Sequence, residues 1–235
     1  MATTNTPTAL QTLLSTANTI VSMTAERLNP NANPHAPAFL HGLKYIPSPP
    51  GTQSTTWYLT ILPFITTLMF RLDSVPDILF ASVMLAAPSL PNLHTALTAL
   101  SFPNFYWFAG VGDARPHNPF CQFAIHLPHL RVLELGLHTA GCTMARTTGG
   151  DEDAPQERRA MSSRDVVAKY ELQALFGCRE LRVLRMRYVE CKIVKASCTE
   201  GDPVAVLQEM RGWIQEEFGK KGREVRVELL EIETS

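Results

Sequence analysis

The chain has 235 residues, enough for one large or two small domains and for a sizeable core without disulfide or metal staples. Its 21 Lys and Arg stand against 22 Asp and Glu, a formal charge of −1 that excludes a strongly basic nucleic-acid binder or an acidic tail protein. A hydrophobic share of 45% excludes global disorder.

Residues 8–28 place Leu10, Leu13, Leu14, Ala17, Ile20 and Val21 at helical spacing with polar residues between them, which predicts one amphipathic helix. The first positive side chain is Arg27, so no secretory signal is expected. Residues 29–53 hold Pro30, Pro34, Pro37, Pro47, Pro49 and Pro50, which forbid a continuous helix or a central strand. Residues 1–53 therefore read as a helix and a Pro-rich arm, and residues 54–235 as a single domain. Within that domain residues 56–72 and 75–87 read as two apolar helices, the second with Asp77 in its first turn, where a carboxylate favours the helix dipole. The apolar run 57–70 is 14 residues long and contains Pro63, short of the roughly 18 that a membrane span requires. A buried helix is expected there.

Phe102, Phe105, Tyr106, Trp107 and Phe108 form the densest aromatic cluster. No basic residue is interleaved before Arg115, so the cluster lacks the phosphate-neutralising charge of a nucleic-acid stacking platform. Core packing is expected for most of it. Gly110-Val-Gly112-Asp113 lacks the third glycine of a phosphate loop and reads as a turn.

The polar stretch 138–164 predicts a mobile loop at about 143–162. Ser162 or Ser163 then caps a helix with Val166, Val167, Tyr170, Ala174 and Leu175 on its apolar stripe, and Gly177 stands where a left-handed stop is wanted. The closing unit is the clearest: Asp202 as N-cap, Pro203 at the first helical position, and Val204, Leu207, Met210, Ile214 and Phe218 at spacings of three and four. Gly222 ends that helix. Residues 224–232 come next as a strand with Val225, Val227 and Leu229 on one face and Arg226 and Glu228 on the other.

Charge is unevenly spread. Only 8 charged side chains fall in residues 1–130, against 35 in residues 131–235, so the first half is expected to pack against the second half or against a partner.

Residues 127–137 and 178–188 share the phrase Leu-Arg-Val-Leu, at Leu130–Leu133 and Leu181–Leu184. Leu-x-x-Leu-x-Leu is the strand-bearing part of a leucine-rich repeat, whose alternate apolar residues point beneath a parallel sheet. Residues 89–93 echo the lead-in, although the residues after Leu93 read less like a strand. The lead-ins Leu93, Leu130 and Leu181 are 37 and 51 residues apart, longer than the roughly 20 to 29 of regular repeats, which makes this an irregular member. Strands at about Leu133, Leu184 and Val227 should lie side by side with helices returning across one face. The opposite face would carry Glu134 and His138, then Arg185 and Arg187, then Arg226 and Glu228. Cross-strand salt bridges are the plain reading of that face, and a charged recognition surface is the functional one.

Residues 101–108 (Ser-Phe-Pro-Asn-Phe-Tyr-Trp-Phe), 126–133 (His-Leu-Pro-His-Leu-Arg-Val-Leu), 137–142 (Leu-His-Thr-Ala-Gly-Cys) and 170–178 (Tyr-Glu-Leu-Gln-Ala-Leu-Phe-Gly-Cys) carry a resemblance. Together, over residues 89–232, the chain resembles a large class of uncharacterised fungal proteins described as F-box-like or leucine-rich-repeat-like. The resemblance implies an intracellular interaction protein, a substrate-binding arm for a ubiquitin ligase. Such proteins begin with a phrase of the type Leu-Pro-x-Glu-Ile-Arg, and the nearest approach in residues 1–90 is Leu62-Pro63-Phe-Ile.

Signals for chemistry are weak. His126 and His129 form an H-x-x-H pair with Pro128 between them, which spoils helical metal-ligand geometry. Cys191 and Cys198 lack the further ligands that a tetrahedral zinc site needs and are expected as core thiols. Five cysteines at irregular spacing and the absence of an Asn-x-Ser/Thr sequon fit a reducing cytoplasmic or nuclear home. Glycine elbow, Walker and kinase signatures are missing. The expectation is an α/β protein: an irregular leucine-rich-repeat-like parallel sheet with returning helices and an apolar helical amino-terminal section. Its expected function is non-enzymatic binding of a protein partner through Trp107, Arg185 and Arg187, without cofactor, metal, nucleic acid or membrane. The rival expectation is an enzyme or small-molecule binder with a pocket between the apolar helices and the sheet.

Overall fold

The computed structural model describes residues 20–22, 66, 69–86, 93–112, 114–145 and 157–232. Among these residues six strands form one all-parallel sheet in chain order: β1 (Ile20–Ser22), β2 (Met69–Arg71), β3 (Ala99–Phe102), β4 (Val132–His138), β7 (Val183–Val189) and β9 (Arg226–Glu231). Three further strands, β5 (Thr143–Ala145), β6 (Arg158–Ala160) and β8 (Cys198–Glu200), form a small second sheet. The α/β expectation is met. Leu133 pairs with Leu184 and Leu184 with Val227, as the repeated phrase predicts. The same row continues the other way through Leu100, Phe70 and Val21.

The helices are α1 (Val75–Leu85), α2 (Leu93–Ala96), α3 (Phe105–Phe108), α4 (Pro119–Ile125), α5 (Ser163–Lys169), α6 (Lys192–Ser197) and α7 (Pro203–Lys220). They pack in the order of the strands they connect: α1 on α4, α4 on the 3-10 turn Leu172–Gly177, and α5 on α7. Their apolar stripes (Ile78, Phe120, Val166, Leu207, Ile214, Phe218) and the inward strand side chains (Leu100, Leu133, Leu135, Leu184, Met186, Val227) make one continuous buried core. Leu97, Leu130 and Leu181 close its lower end, each just before a strand.

Local chemistry places the helices. Asp202 caps α7 by accepting the Val204 N–H at 2.9 Å, with Pro203 at the first position. Ser162 caps α5 by accepting the Asp165 N–H at 3.1 Å. Fully buried Asn118 caps α4 through Phe120 and Cys121, and donates from Nδ2 to the Tyr170 carbonyl at 2.6 Å, which ties α4 to the end of α5.

Several expectations are corrected. Ile20–Ser22, within the expected helix 8–28, is a strand, and so is Met69–Arg71, within the expected helix 56–72. The remainder of those segments, Thr66 and Leu72 apart, and the Pro-rich arm 29–53 lie outside the described residues. The left-handed stop after α5 is Glu171 (φ 51°), and Gly177 belongs to the 3-10 turn after it. Glu171 is held in that strained conformation by its carboxylate, which accepts the Asn118 N–H at 2.6 Å and pairs with His117 at 2.8 Å. Leu93 opens α2 rather than leading straight into a strand, as the residues after it read, and Leu97 takes the place expected of Leu93, ahead of β3. The expected loop 143–162 is strand at both ends, in β5 and β6, and residues 146–156 lie outside the described residues. Cys191 and Cys198 are half-exposed, whereas Cys121, Cys142 and Cys178 are the core thiols.

One close approach controls the junction of β3 and β4. A Cβ on Gly136 would lie 1.8 Å from the Pro103 carbonyl oxygen, so only glycine lets the turn after β3 rest against β4. Gly136→Ala should therefore destabilise by about 2 to 3 kcal/mol. Gly212→Ala, in open space on α7, should stabilise by about 0.5 to 1 kcal/mol. Urea unfolding of the two variants measures both.

Candidate functional site

Strand alternation turns the residues between the inward rows onto the opposite face. Arg71, Ser101, Glu134, Arg185 and Glu228 are in register across five strands, and Gly136, Arg187 and Leu230 form the row above. Glu134 accepts from the Ser101 hydroxyl at 3.0 Å and pairs with Arg187 at 3.4 Å. Glu228 pairs with Arg185 at 2.9 Å and with Arg226 at 2.8 Å. Two carboxylates thus serve three guanidiniums, and the cross-strand salt bridges expected for this face are present. Each partly exposed pair contributes about 0 to 1 kcal/mol, so the row sets side-chain positions more than stability. The Arg187 side chain is 43% exposed and that of Arg226 is 66% exposed, whereas that of Glu134 is 12% exposed. The arginines form the outer layer.

The aromatic run splits at the turn after β3. Phe102 and Phe105 enter the core, edge-on to Phe120 at 5.0 and 5.7 Å. Tyr106 and Trp107 go outward: Tyr106 stacks on His138 of β4 at 5.0 Å, and Trp107, 68% exposed, lies against Tyr106 at 4.8 Å. His138 Nδ1 accepts the Ala140 N–H at 3.0 Å, so its other ring nitrogen carries the proton in the neutral form. Burial lowers the His138 pKa, which favours the neutral ring.

Of the expected binding residues, Arg185 and Arg187 stand together on the outer face of β7. Trp107 stands apart from them on α3, at the upper margin of the sheet. Of the residues that complete the site, Glu134, His138 and Glu228 stand on the face that strand alternation predicts, whereas the outward turn of Tyr106 onto His138 shows only in the fold.

The three buried thiols are not a reactive set. Burial pushes Cys142 and Cys178 up to about 12 and raises Cys121 well above the ordinary thiol value, so all three stay protonated. Among the described residues no group of His, Cys, Asp and Glu could hold a metal. His126 and His129 take separate partners, the Gln122 carbonyl and Glu180. Among the described residues, Phe102, Phe105, Phe120 and Leu133 are fully buried between the helices and the sheet. A shallow groove of about 300 Å³ lies at the lower margin, between Ile125–Pro128 and Gly177–Arg179. Among the described residues no helix is long and apolar enough to cross a membrane.

No protein-family model, no curated protein and no solved structure matches the chain.

Because burial beneath Tyr106 depresses the His138 pKa, an NMR titration should place its midpoint below the ordinary value of about 6.5. Tyr106→Ala should move that midpoint upward. A midpoint unchanged by the substitution would remove the stack as the cause.

Proposed function

We propose that the protein is a non-enzymatic interaction module that receives a protein partner on the outer face of its parallel sheet. One observation carries this reading: helices fill one face, while the other presents Arg185, Arg187 and Arg226 above their carboxylates, with Trp107 projecting at its margin. Arg and Trp are the residues that most often dominate binding hot spots, because each combines a large contact area with directional bonding. Chain-ordered parallel strands are also how repeat proteins build extended binding surfaces. The resemblance of residues 89–232 to fungal F-box-like proteins supports a substrate-recognition arm of a ubiquitin ligase as the specific form of this role.

A second reading, small-molecule binding, is favoured by the groove between Ile125–Pro128 and Gly177–Arg179, whose volume lies at the lower limit of ligand sites and whose polar groups are His126 and Arg179.

The test is recovery of the tagged full-length protein from its native cell, with partners identified by mass spectrometry, beside Trp107→Ala and Arg185→Ala/Arg187→Ala. Removing the two arginines leaves Glu228 with Arg226 and Glu134 with Ser101, so the variants should keep the wild-type melting temperature. The expected result is a protein recovered with wild type and reduced at least about tenfold with either variant, the effect of losing about 1.4 kcal/mol of binding. An unchanged set of partners would overturn the assignment of this surface. Recovery of an adaptor and a cullin would support the ligase arm, and a partner recovered without them would remove it.

A further inference from the structure

Among the described residues the sheet ends at β9, and the free edge of that strand is occupied by side chains. Arg226 and Ile232 donate their N–H groups to Arg182 and Tyr188 across the β7 pairing, each at 2.8 Å, so the even-numbered residues of β9 face β7. Val225, Val227 and Leu229 therefore turn their backbone groups to the outside. There Gln215 of α7 donates from Nε2 to the Val225 carbonyl at 2.6 Å and accepts the Val227 N–H on Oε1 at 2.9 Å. Arg211, one turn earlier, donates from Nε to the Val227 carbonyl at 3.0 Å. A carboxamide has the donor and acceptor of a peptide group, so Gln215 stands where the backbone of a seventh strand would stand.

We infer that β9 is a latent pairing edge for a second copy of this chain, held closed by Gln215 and Arg211. The pairing is antiparallel about a two-fold axis at Val227. In such a pair the central residue exchanges both of its backbone bonds with its counterpart, and those are the two Val227 groups that Gln215 and Arg211 occupy. The side chains fit the same register on both faces. Arg226 of one copy meets Glu228 of the other, twice, on the outer face, and Val225 meets Leu229 beneath it. An edge with these properties associates unless something covers it. Gln215 and Arg211 are solvent-exposed side chains on a surface helix, so the cover can be removed without opening the core. This inference is independent of any partner on the outer face.

The experiment is light scattering on the purified full chain over a range of concentrations. Gln215→Leu/Arg211→Met should double the mass of the wild-type species at high concentration. Adding Arg226→Glu, which sets a carboxylate against Glu228 of the other copy, should return it to the wild-type mass. A double variant that keeps wild-type circular dichroism and the wild-type mass overturns the inference, as does a dimer that survives Arg226→Glu. Should the double variant fail to fold, Gln215→Ala serves in its place with the same readouts. In the wild-type protein, the Val227 amide should exchange with solvent at least about tenfold more slowly than that of Leu229, and equal rates would show that no cap exists.

Discussion

Parallel register is the constraint on which the rest of the structure depends. Leu100, Leu133, Leu184 and Val227 share one row, and side chains alternate faces along every strand. A slip of one residue at any strand would therefore bury Glu134, Arg185 or Glu228 and expose a leucine. The fully buried row beneath the helices makes that slip prohibitive. The charged row on the opposite face reinforces the choice only weakly, because its ion pairs remain in contact with water. Hydrophobic burial sets the register, and the register arrays the arginines.

That division of labour gives the two faces different freedom. The inner face is close-packed, with Phe102, Phe105, Phe120 and Tyr170 in ring contact. Every change of volume there is felt across helices and sheet together. Outer-face residues contribute little to folding and can be shaped by binding. The insertions after β4 and β7, which build the small second sheet, extend from the upper margin, where Tyr106 and Trp107 also stand. Elaboration is thus concentrated at one end of the strands, and the lower end carries short lead-ins capped by Leu97, Leu130 and Leu181.

The sequence was legible where one residue type had one physical use. Leu-Arg-Val-Leu twice over located two adjacent strands in their true register, and Asp202-Pro203 located the start of α7. The alternation of residues 225–229 was equally plain. It was illegible where a tertiary contact overrode local preference. Glu171 takes the left-handed turn because Asn118 and His117 hold its carboxylate, while Gly177, the better residue for that geometry, is spent in a 3-10 turn. Short segments such as residues 69–71 carry no periodicity that separates a buried strand from a helix. Trp107 and Arg187 could be named as candidates from their types alone. The place of Arg187 on the outer face of its strand followed from alternation, but that of Trp107 on α3 required the fold, as did the partnership of Gln215 with Val225 and Val227.

The order of elements in the chain has a consequence for synthesis. Because each strand of the large sheet pairs with the one made before it, the sheet can grow as the polypeptide leaves the ribosome, presenting a fresh unpaired edge at every stage. Those intermediate edges are consumed by the next strand. The edge of β9 has no successor among the described strands, but α7 is translated before β9, so Gln215 and Arg211 have already emerged when Val227 does. This strand is thus made after the side chains that cover its edge in the folded chain.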